Sequence, residues 1–377
     1  MSRICVVTHY MPPHRGGVER VAERMAEAYA AAGHDVTWIA TSAGASPGAA
    51  RYDGIEHIRV TANNALERRF GMPYPFVPPS AWSSIVAAVG RADVIHLHDC
   101  LYLPILIADR AARRRGVPTL VTQHVGMVSF GSAMDVALEL AYRTVGRTVL
   151  RNARHVAFVS EHVRQWFLRH VDAAIVSELI PNGVDTAVFA PADDARRDQA
   201  RRRLGIPAGI PVVLCAGRLV AKKNIGILAA ALVNMEIPWH ALVVGDGPER
   251  GELARLAGRL THLADVPTAE MPGVYAAADV FALPSVGEGM PLVVLEAMAS
   301  GVPAVLSDDP PFGPLAAAGA VLVSPNVSAV TAAIRSLLAD GAERRSRGER
   351  ARRWVTEHAS ERASLDRYLA IVAEITT

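Results

Sequence analysis

The chain has 377 residues, of which 51% are hydrophobic and 20% are charged, and its formal net charge is +2 at pH 7. At roughly 100–200 residues per domain, this length predicts two globular domains. The small net charge, with no interleaved basic and aromatic residues, excludes a nucleic-acid-binding groove.

The first half of the chain alternates short apolar runs with helical patterns. ICVVTHY at 4–10 predicts a buried strand, VERVAERMAEAYAAAG at 18–33 a helix, and HDVTWIAT at 34–41 the next strand. The same alternation continues through the strands ADVIHLHD, VPTLVTQH and HVAFVSEHV and the helix PILIADRAARRRG. Successive strand–helix–strand units predict a parallel sheet with right-handed crossovers.

The pattern restarts after a charged, proline-rich segment at 189–209, which we interpret as a linker with a short exposed helix. Strands are then predicted at PVVLCAGRL, WHALVVGDGP, VFALPS, VPAVLSD and GAVLVSP, with helices at NIGILAAAL, ELARLAGRL and PLVVLEAMASG. We therefore predict two Rossmann-like, doubly wound parallel-sheet domains facing across a cleft. Their predicted bounds are 1–190 and 191–360, and a C-terminal helix at 361–377 is expected to dock back on the first domain.

Two carboxylates surround a predicted helix start in PSVGEGMPLVVLEAMASGVP at 284–303. They are Glu288 in the loop and Glu296 on the helix, and Pro291 suits the first helical position. The amides expected to point out from the positive end of this helix are those of Gly289, Met290 and Leu292. A ligand with central phosphates and hydroxyls at both ends, such as a nucleotide diphosphate sugar, fits this layout. The alternative is that Glu296 is only a solvated helix residue.

The two lysines of the chain are adjacent, Lys222 and Lys223, among 39 lysines and arginines. They follow a predicted strand whose carboxyl end carries Arg218, at the edge where open parallel sheets bind ligands. Lysine is a compact charge on a flexible stem, whereas arginine presents a planar fork. The scarcity of lysine favours a phosphate-binding role over the alternative, a solvated turn.

Gly16 and Gly17 end a loop and open the first helix, where a glycine lets the backbone come close to a ligand. An ordinary turn is the alternative. The segment is not a G-x-G-x-x-G fingerprint, and no acidic residue ends the second strand, so a nicotinamide cofactor is not expected.

His124 directly follows the strand VPTLVTQH, at the sheet edge that presents ligand groups. A structural histidine is the alternative. His9, His96 and His98 occupy similar strand ends without the spacing of metal ligands. No Asp-x-Asp pair follows an early strand, so protein groups are expected to neutralise a diphosphate, with no metal or other cofactor.

The chain resembles the retaining glycosyltransferase family 4 over nearly its whole length. The resemblance rests, in chain order, on the motifs GGVE, TQH, IPNGVD, GRL with KK and VGDGP, and on the two glutamates separated by seven residues. The resemblance implies a GT-B fold. It also implies hexosyl transfer, with retention, from a nucleotide diphosphate sugar to a hydroxyl acceptor that is a glycan, a lipid-linked sugar or a small molecule.

The resemblance also implies residue roles. Arg218 and Lys223 would hold the diphosphate, with Lys222 as an exposed neighbour, and the amides of Gly289, Met290 and Leu292 would complete the phosphate site. Glu288 would bind hydroxyls of the transferred sugar, Glu296 the ribose, and His124 would position the sugar; Gly16 and Gly17 would approach the phosphates or the acceptor. Three departures stand out: Asn224 after the lysine, LADV where the family strand ends in glycine, and SDDPPFGPL after Gly301.

Two other functions remain open. A sugar-nucleotide epimerase or a phosphorylase has a similar fold, but a phosphorylase needs a pyridoxal-phosphate lysine, and both lysines are placed for phosphate. A non-catalytic sugar-nucleotide-binding protein is the second alternative.

The location of the protein is expected to be cytoplasmic. The three cysteines lie far apart, no run approaches the ~18 apolar residues of a membrane span, and no signal peptide is apparent. A helix at 141–156 is predicted to align Arg143, Arg147, Arg151 and Arg154 on one face, which suits peripheral contact with an anionic membrane. A solvated helix face is the alternative.

Overall fold

The computed structural model describes residues 1–14, 16–42, 45–70, 74–127 and 132–376. The chain divides into two compact units, Met1–Pro181 with Ala363–Thr377, and Asn182–Arg362. Each unit is built around its own sheet.

The first unit has an eight-stranded sheet in the order β3-β4-β2-β1-β5-β6-β7-β8. All neighbouring strands are parallel except β3 and β4. The strands are β1 Arg3–Tyr10, β2 Asp35–Thr41, β3 Gly48–Tyr52, β4 Ile55–Val60, β5 Val94–His98, β6 Thr119–Gln123, β7 His155–Phe158 and β8 Glu178–Leu179. The helices are α1 Gly17–Ala31, α2 Ala65–Phe70, α3 Trp82–Arg91, α4 Leu103–Arg115, α5 Ser132–Ala141, α6 Arg147–Asn152 and α7 Glu161–His170.

The second unit has a six-stranded parallel sheet in the order β11-β10-β9-β12-β13-β14. The strands are β9 Val212–Ala216, β10 His240–Val244, β11 Leu260–Leu263, β12 Val280–Leu283, β13 Ala304–Ser307 and β14 Val321–Val323. The helices are α8 Asp194–Arg203, α9 Ile225–Val233, α10 Met271–Ala277, α11 Leu292–Ala299, α12 Gly313–Ala317, α13 Val327–Ala339 and α14 Gly341–His358. Short 3-10 segments span Ala221–Lys223 and Pro248–Leu256.

The strand order reverses once in each sheet. In the first unit β1 lies between β2 and β5, and in the second β9 lies between β10 and β12. Ligands of open parallel sheets bind beyond the carboxyl ends of the strands where the order reverses. The prediction of two Rossmann-like parallel-sheet domains is confirmed, and each sheet has its expected binding edge beside its central strand.

The boundaries of the two units along the chain differ from the predicted domain bounds. Residues 182–190 belong to the second unit, where Val184 bridges Ser360 through the backbone. The segment predicted as a linker is part of that unit, because Arg197 and Arg201 of α8 pair with Asp279, which precedes β12.

The C-terminal helix α15, Glu361–Thr376, packs on the first unit from residue 363 onward. Tyr368 is buried and its hydroxyl accepts a hydrogen bond from Thr122 Oγ1 at 3.1 Å. Arg367 forms two hydrogen bonds with the Glu178 carboxylate, at 2.8 and 2.7 Å.

Two details of the first unit differ from the sequence-based expectation. The strands β3 and β4 form a hairpin around Asp53 and Gly54, whose φ angles are 52° and 76°. The predicted basic helix is interrupted by a π-helical turn at Tyr142–Gly146 and ends at Asn152, so Arg154 lies outside it. No helix in the described part of the chain has both the length and the apolar character needed to span a membrane.

Candidate functional site

Two loops at the carboxyl edge of the second sheet form the centre of the site. One follows β9 and carries Arg218, Lys222 and Lys223; the other follows β12 and carries Glu288. Since β9 and β12 are neighbours, both loops emerge where the strand order reverses.

The two loops are joined by hydrogen bonds. Val286 N donates to the carbonyl of Lys222 at 2.9 Å, and Asn224 Nδ2 donates to the carbonyl of Pro284 at 2.7 Å. Asn224 adopts a left-handed conformation with φ 53°, which asparagine tolerates better than most residues. The departure from the family glycine at this position therefore preserves the turn and adds a side-chain contact between the loops.

The lysine pair faces Glu288. Lys223 Nζ lies 2.8 Å from Glu288 Oε1, and Lys222 Nζ lies 3.6 Å from Oε2. The side chains of Lys223 and Glu288 are 10% and 9% exposed, against 34% for Lys222. Burial alone would raise the pKa of Glu288, but the two ammonium groups outweigh it and lower this pKa. The site therefore holds a buried ion pair between Lys223 and Glu288, with Lys222 at its more exposed side.

The loop before Glu288 is held by the segment after β13. Asp309 Oδ2 accepts a hydrogen bond from Gly287 N at 2.8 Å, and the Ser307 hydroxyl donates to the carbonyl of Ser285. Gly287 has φ +68°, a conformation that favours glycine. The unusual SDDPPFGPL segment thus supports the site through Asp309.

The helix α11 begins at Leu292, and Pro291 is its N-cap residue instead of its first helical residue as expected. In the described part of the chain, the amides of Gly289, Met290 and Leu292 donate no hydrogen bond. Asn182 Nδ2 donates to the carbonyl of Met290 at 2.9 Å and fixes this peptide. Sequence reasoning missed Asn182, although its Asn-Gly pair is a turn signal in IPNGVD.

Glu296 is buried, with 1% of the residue exposed. Its Oε2 accepts a hydrogen bond from the Tyr275 hydroxyl at 2.7 Å. The alternative of a solvated helix residue is therefore wrong. Arg218 is half-buried and directly follows Gly217, at the end of β9.

In the first unit, the two glycines before α1 have different surroundings. A Cβ atom built on Gly16 would overlap the Glu19 carboxylate, whereas one built on Gly17 meets no atom within 4 Å. A side chain at position 16 would therefore displace the Glu19 carboxylate, whereas one at position 17 would displace no described atom.

Glu19 was not predicted as a site residue, although it is the glutamate of the GGVE motif. It is buried in the first turn of α1, 3.0 Å from His14 Nδ1 and 3.6 Å from His9 Nε2. His14 Nε2 also lies 3.2 Å from Glu67. Burial opposes the charge of His14, but hydrogen bonds to Glu19 and Glu67 outweigh it and raise its pKa to about 9. Another signal in the sequence is an acidic residue at a helix start.

His124 lies at the end of β6, beside β5, and is buried. Its Nε2 is 2.9 Å from His98 Nδ1, and its backbone N donates to Asp99 Oδ1 at 2.9 Å. Burial lowers the pKa of His124 to about 3, and burial raises the pKa of Asp99 to about 7. His124 is therefore a neutral imidazole at physiological pH.

The structure brings the predicted residues together in two groups, one in each unit. The second unit groups Arg218, Lys223, Glu288, Gly289, Met290, Leu292 and Glu296 around β9, β12 and α11. The first unit places Gly16, Gly17 and His124 at the carboxyl ends of β1 and β6. Within the described residues, no group of three histidines, cysteines or carboxylates is arranged to hold a metal ion.

Two family models match the chain. Residues 15–188 match Glycosyltransferase Family 4, and residues 196–354 match Glycosyl transferases group 1. A GDP-mannose-dependent alpha-(1-6)-phosphatidylinositol monomannoside mannosyltransferase of Mycolicibacterium smegmatis is 32% identical in an alignment 372 positions long that covers 94% of each chain.

Solved structures share the fold. Sucrose-phosphate synthase from Thermosynechococcus elongatus aligns over 100% of this chain and 99% of its own, with TM-score 0.79 and 22% identity. The Anabaena protein HepE, in complex with UDP and glucose, aligns over 99% of this chain and 100% of its own, with TM-score 0.78 and 18% identity.

Proposed function

Because the chain belongs to the group 1 glycosyltransferases of the family 4 type, with the GT-B fold, we propose that it transfers a hexose from a nucleotide diphosphate sugar to a hydroxyl acceptor with retention at the anomeric carbon. The observation that carries this proposal is the buried Lys223–Glu288 pair beside the amides at the start of α11, which donate no hydrogen bond within the described residues. Cations and amides suit a diphosphate, and a carboxylate beside them suits sugar hydroxyls.

In the proposed donor complex, the second unit stabilises the leaving diphosphate. Arg218 and Lys223 contribute positive charge, and the amides of Gly289, Met290 and Leu292 donate hydrogen bonds at the positive end of α11. Glu288 accepts hydrogen bonds from the transferred sugar, and Glu296, already bonded to Tyr275, accepts from the ribose. As the glycosidic bond to phosphate breaks, the sugar acquires oxocarbenium character.

His124 is proposed to position the transferred sugar as a neutral group. Its low pKa excludes a permanent positive charge beside the developing oxocarbenium ion. In front-face retaining transfer the leaving phosphate accepts the proton of the acceptor hydroxyl, so a separate general base is not needed. Gly17 is proposed to allow close approach of the phosphates or the acceptor, because its neighbours leave room for a Cβ atom.

We propose that transfer needs no metal ion, since Arg218, Lys223 and the α11 amides supply the charge and the hydrogen bonds that a diphosphate requires. The test is transfer measured in the presence of excess EDTA. An unchanged rate supports the proposal, and a loss of rate that returns with Mg²⁺ or Mn²⁺ contradicts it.

The mannosyltransferase relative suggests the donor and the acceptor class. We propose GDP-mannose as donor and a lipid-linked sugar as acceptor, on the cytoplasmic side of a membrane. UDP-, GDP-, TDP- and ADP-sugars would be screened by thermal shift, since a ligand of the native state raises the midpoint. We expect the largest shift with GDP-mannose; a larger shift with another nucleotide would reassign the donor.

Peripheral membrane contact is proposed through the α5–α6 region. Met134, Val136 and Leu140 of α5 are 48%, 69% and 60% exposed. The adjoining arginines are partly neutralised, because both Arg147 and Arg151 bond to Asp172. Apolar insertion is therefore expected to contribute more than charge. Flotation with anionic liposomes tests the contact, and absence of binding contradicts it.

The site assignment is tested by Lys223→Ala and Glu296→Ala, with Lys222→Ala as the partly exposed control. We expect the first two variants to raise the KM for the nucleotide sugar or abolish transfer, and the control to retain most activity. If both variants turn over like the wild type, the site is wrong. Formation of an epimerised sugar nucleotide, or binding of every tested donor without transfer to any acceptor, would favour the alternative functions.

A further inference from the structure

Three histidine rings stack at the carboxyl edge of the first sheet. His96 and His98 of β5 have ring centroids 4.4 Å apart, and His98 and His124 have centroids 5.2 Å apart. All three rings are buried. Burial lowers the pKa of each ring far enough to keep it neutral at physiological pH. Each neutral imidazole therefore carries a single N–H, on one of its two nitrogens.

The first ring of the stack is anchored on both nitrogens. His96 Nδ1 lies 3.0 Å from the Tyr29 hydroxyl, and His96 Nε2 lies 2.8 Å from Thr122 Oγ1. Thr122 in turn donates to the hydroxyl of Tyr368 on α15. His96 therefore contacts His98 by ring stacking, and its described hydrogen bonds go to Tyr29 and Thr122, not to His98 or His124.

The hydrogen bond between His98 Nδ1 and His124 Nε2 is 2.9 Å long and contains one proton. The surroundings of His98 determine which of the two nitrogens carries this proton. His98 Nε2 is enclosed and has no hydrogen-bond partner among the described residues. If His124 donated, the proton of His98 would have to sit on that enclosed Nε2 as a buried N–H without an acceptor. If His98 donates from Nδ1, its Nε2 is only an acceptor without a donor, which proteins tolerate better.

We propose that His98 is a positioning residue that holds His124 in the tautomer protonated at Nδ1, so that His124 presents a hydrogen-bond donor to an oxygen of the transferred sugar. This inference rests on the proposed function and deepens it. His124 Nδ1 makes no hydrogen bond within the described part of the chain, and His124 directly follows β6 at the edge of the sheet where ligands of open parallel sheets bind. A donor at this position orients a sugar and does not remove a proton, which agrees with transfer in which the leaving phosphate takes the proton.

The direct test is the tautomer itself, measured on the full-length protein without substrate. Two-bond ¹⁵N–¹H correlation spectra of ¹⁵N-histidine-labelled protein distinguish a ring protonated at Nδ1 from one protonated at Nε2. Signals are assigned by their loss in His98→Leu and His124→Gln. We expect Nδ1–H for both rings. A His124 ring protonated at Nε2 overturns the proposal, whatever the activity of the enzyme.

Variants test whether the effect passes through His98. His98→Leu removes the donor, so His124 should populate both tautomers and kcat should fall about tenfold to a hundredfold, the cost of losing an orienting partner. The KM for the nucleotide sugar should change little. His98→Asn can donate from Nδ2 and should recover much of kcat.

The matched control is His96→Gln, because His96 is equally buried and lies two residues earlier on the same strand. It should leave the tautomer of His124 unchanged. If it disturbs His124 as much as His98→Leu does, the effect is one of packing and the positioning role is wrong. If His98→Leu does not fold, the wild-type spectrum still decides. If no nucleotide sugar supports transfer while His124 is protonated at Nδ1, the proposed function fails and the tautomer assignment stands.

Discussion

Removing the positive charge of Lys223 should destabilise the second unit, because its partner is buried. In Lys223→Met the stem is retained, and the Glu288 carboxylate, 9% exposed, keeps Lys222, at 3.6 Å, as its cationic partner in the described part of the chain. Removing one partner of a buried ion pair typically costs about 3–5 kcal/mol. At about 2–4 °C per kcal/mol for a unit of this size, the midpoint of thermal unfolding should fall by roughly 6–20 °C.

The control and the double variant separate charge from packing. Lys222→Met removes a partly exposed ammonium and should cost about 0–1 kcal/mol. Lys223→Met combined with Glu288→Gln leaves no buried unpaired charge and should recover much of the loss. Urea denaturation of the wild type, Lys223→Met, Glu288→Gln and the double variant at pH 7 gives the coupling free energy from a double-mutant cycle.

The stability difference between the wild type and Lys223→Met should change with pH in a defined direction. In the wild type the pKa of Glu288 is lowered from 4.5, so its pair contributes stability above that pH and loses it as the pH falls. In Lys223→Met the Glu288 carboxylate is still buried but has lost the positive charge of Lys223, so its charged form destabilises the folded state. Protonation of Glu288 removes this destabilisation. The gap between wild type and variant should therefore narrow on acidification to about pH 4. A Lys223→Met variant no less stable than Lys222→Met would refute the reasoning.

Three further predictions concern the first unit. Gly17→Ala should leave the unfolding midpoint unchanged, because no atom lies within 4 Å of the added Cβ, but should weaken binding of the nucleotide sugar or acceptor in titration calorimetry; unchanged affinities would contradict a close approach there. The raised pKa of His14, about 9, makes its contacts with Glu19 and Glu67 worth on the order of 3 kcal/mol below pH 6.5, a contribution lost as the pH rises through 9. The urea midpoints of the wild type and His14→Gln should therefore converge as the pH rises from 6.5 to 9. A difference that stays constant with pH would contradict this contribution of His14. Both ring nitrogens of buried His57 lack hydrogen-bond partners among the described residues, so His57→Phe should raise the free energy of unfolding by about 1–2 kcal/mol, and a lower thermal midpoint would show that the ring makes a needed contact.

Local patterns predicted the fold and the proximity of Lys223 and Glu288, because the relevant information is local. Each βαβ unit has its own apolar periodicity, and the rule that ligands bind at carboxyl ends of parallel strands placed Lys223 and Glu288 at one edge. The spacing between Glu288 and Glu296 is likewise a property of one loop and one helix. The hairpin at Asp53 and Gly54 was missed although an Asp-Gly pair between extended runs is a hairpin signal.

Partners that are distant in sequence could not be predicted. Asn182 fixes the Met290 carbonyl across 108 positions, and the sequence shows neither the distance nor the burial of the amide. The ion pairs of the arginines at 143–154 could not be predicted for the same reason. Asp172, which binds both Arg147 and Arg151, follows α7 and approaches α6 only in the folded unit.

The return of the chain to the first unit in α15 has a consequence for biosynthesis. The second unit is one continuous segment, whereas the first needs residues from both ends of the chain. During synthesis, the first unit therefore cannot complete its fold until α15 has been made, because Tyr368 of this helix bonds to Thr122. All residues of the second unit, 182–362, are synthesised before α15 is complete. Contacts that span 246 positions are slow to form, since the intervening chain must be closed first. The second unit is thus expected to complete its fold before the first unit, although the first unit begins to be synthesised earlier.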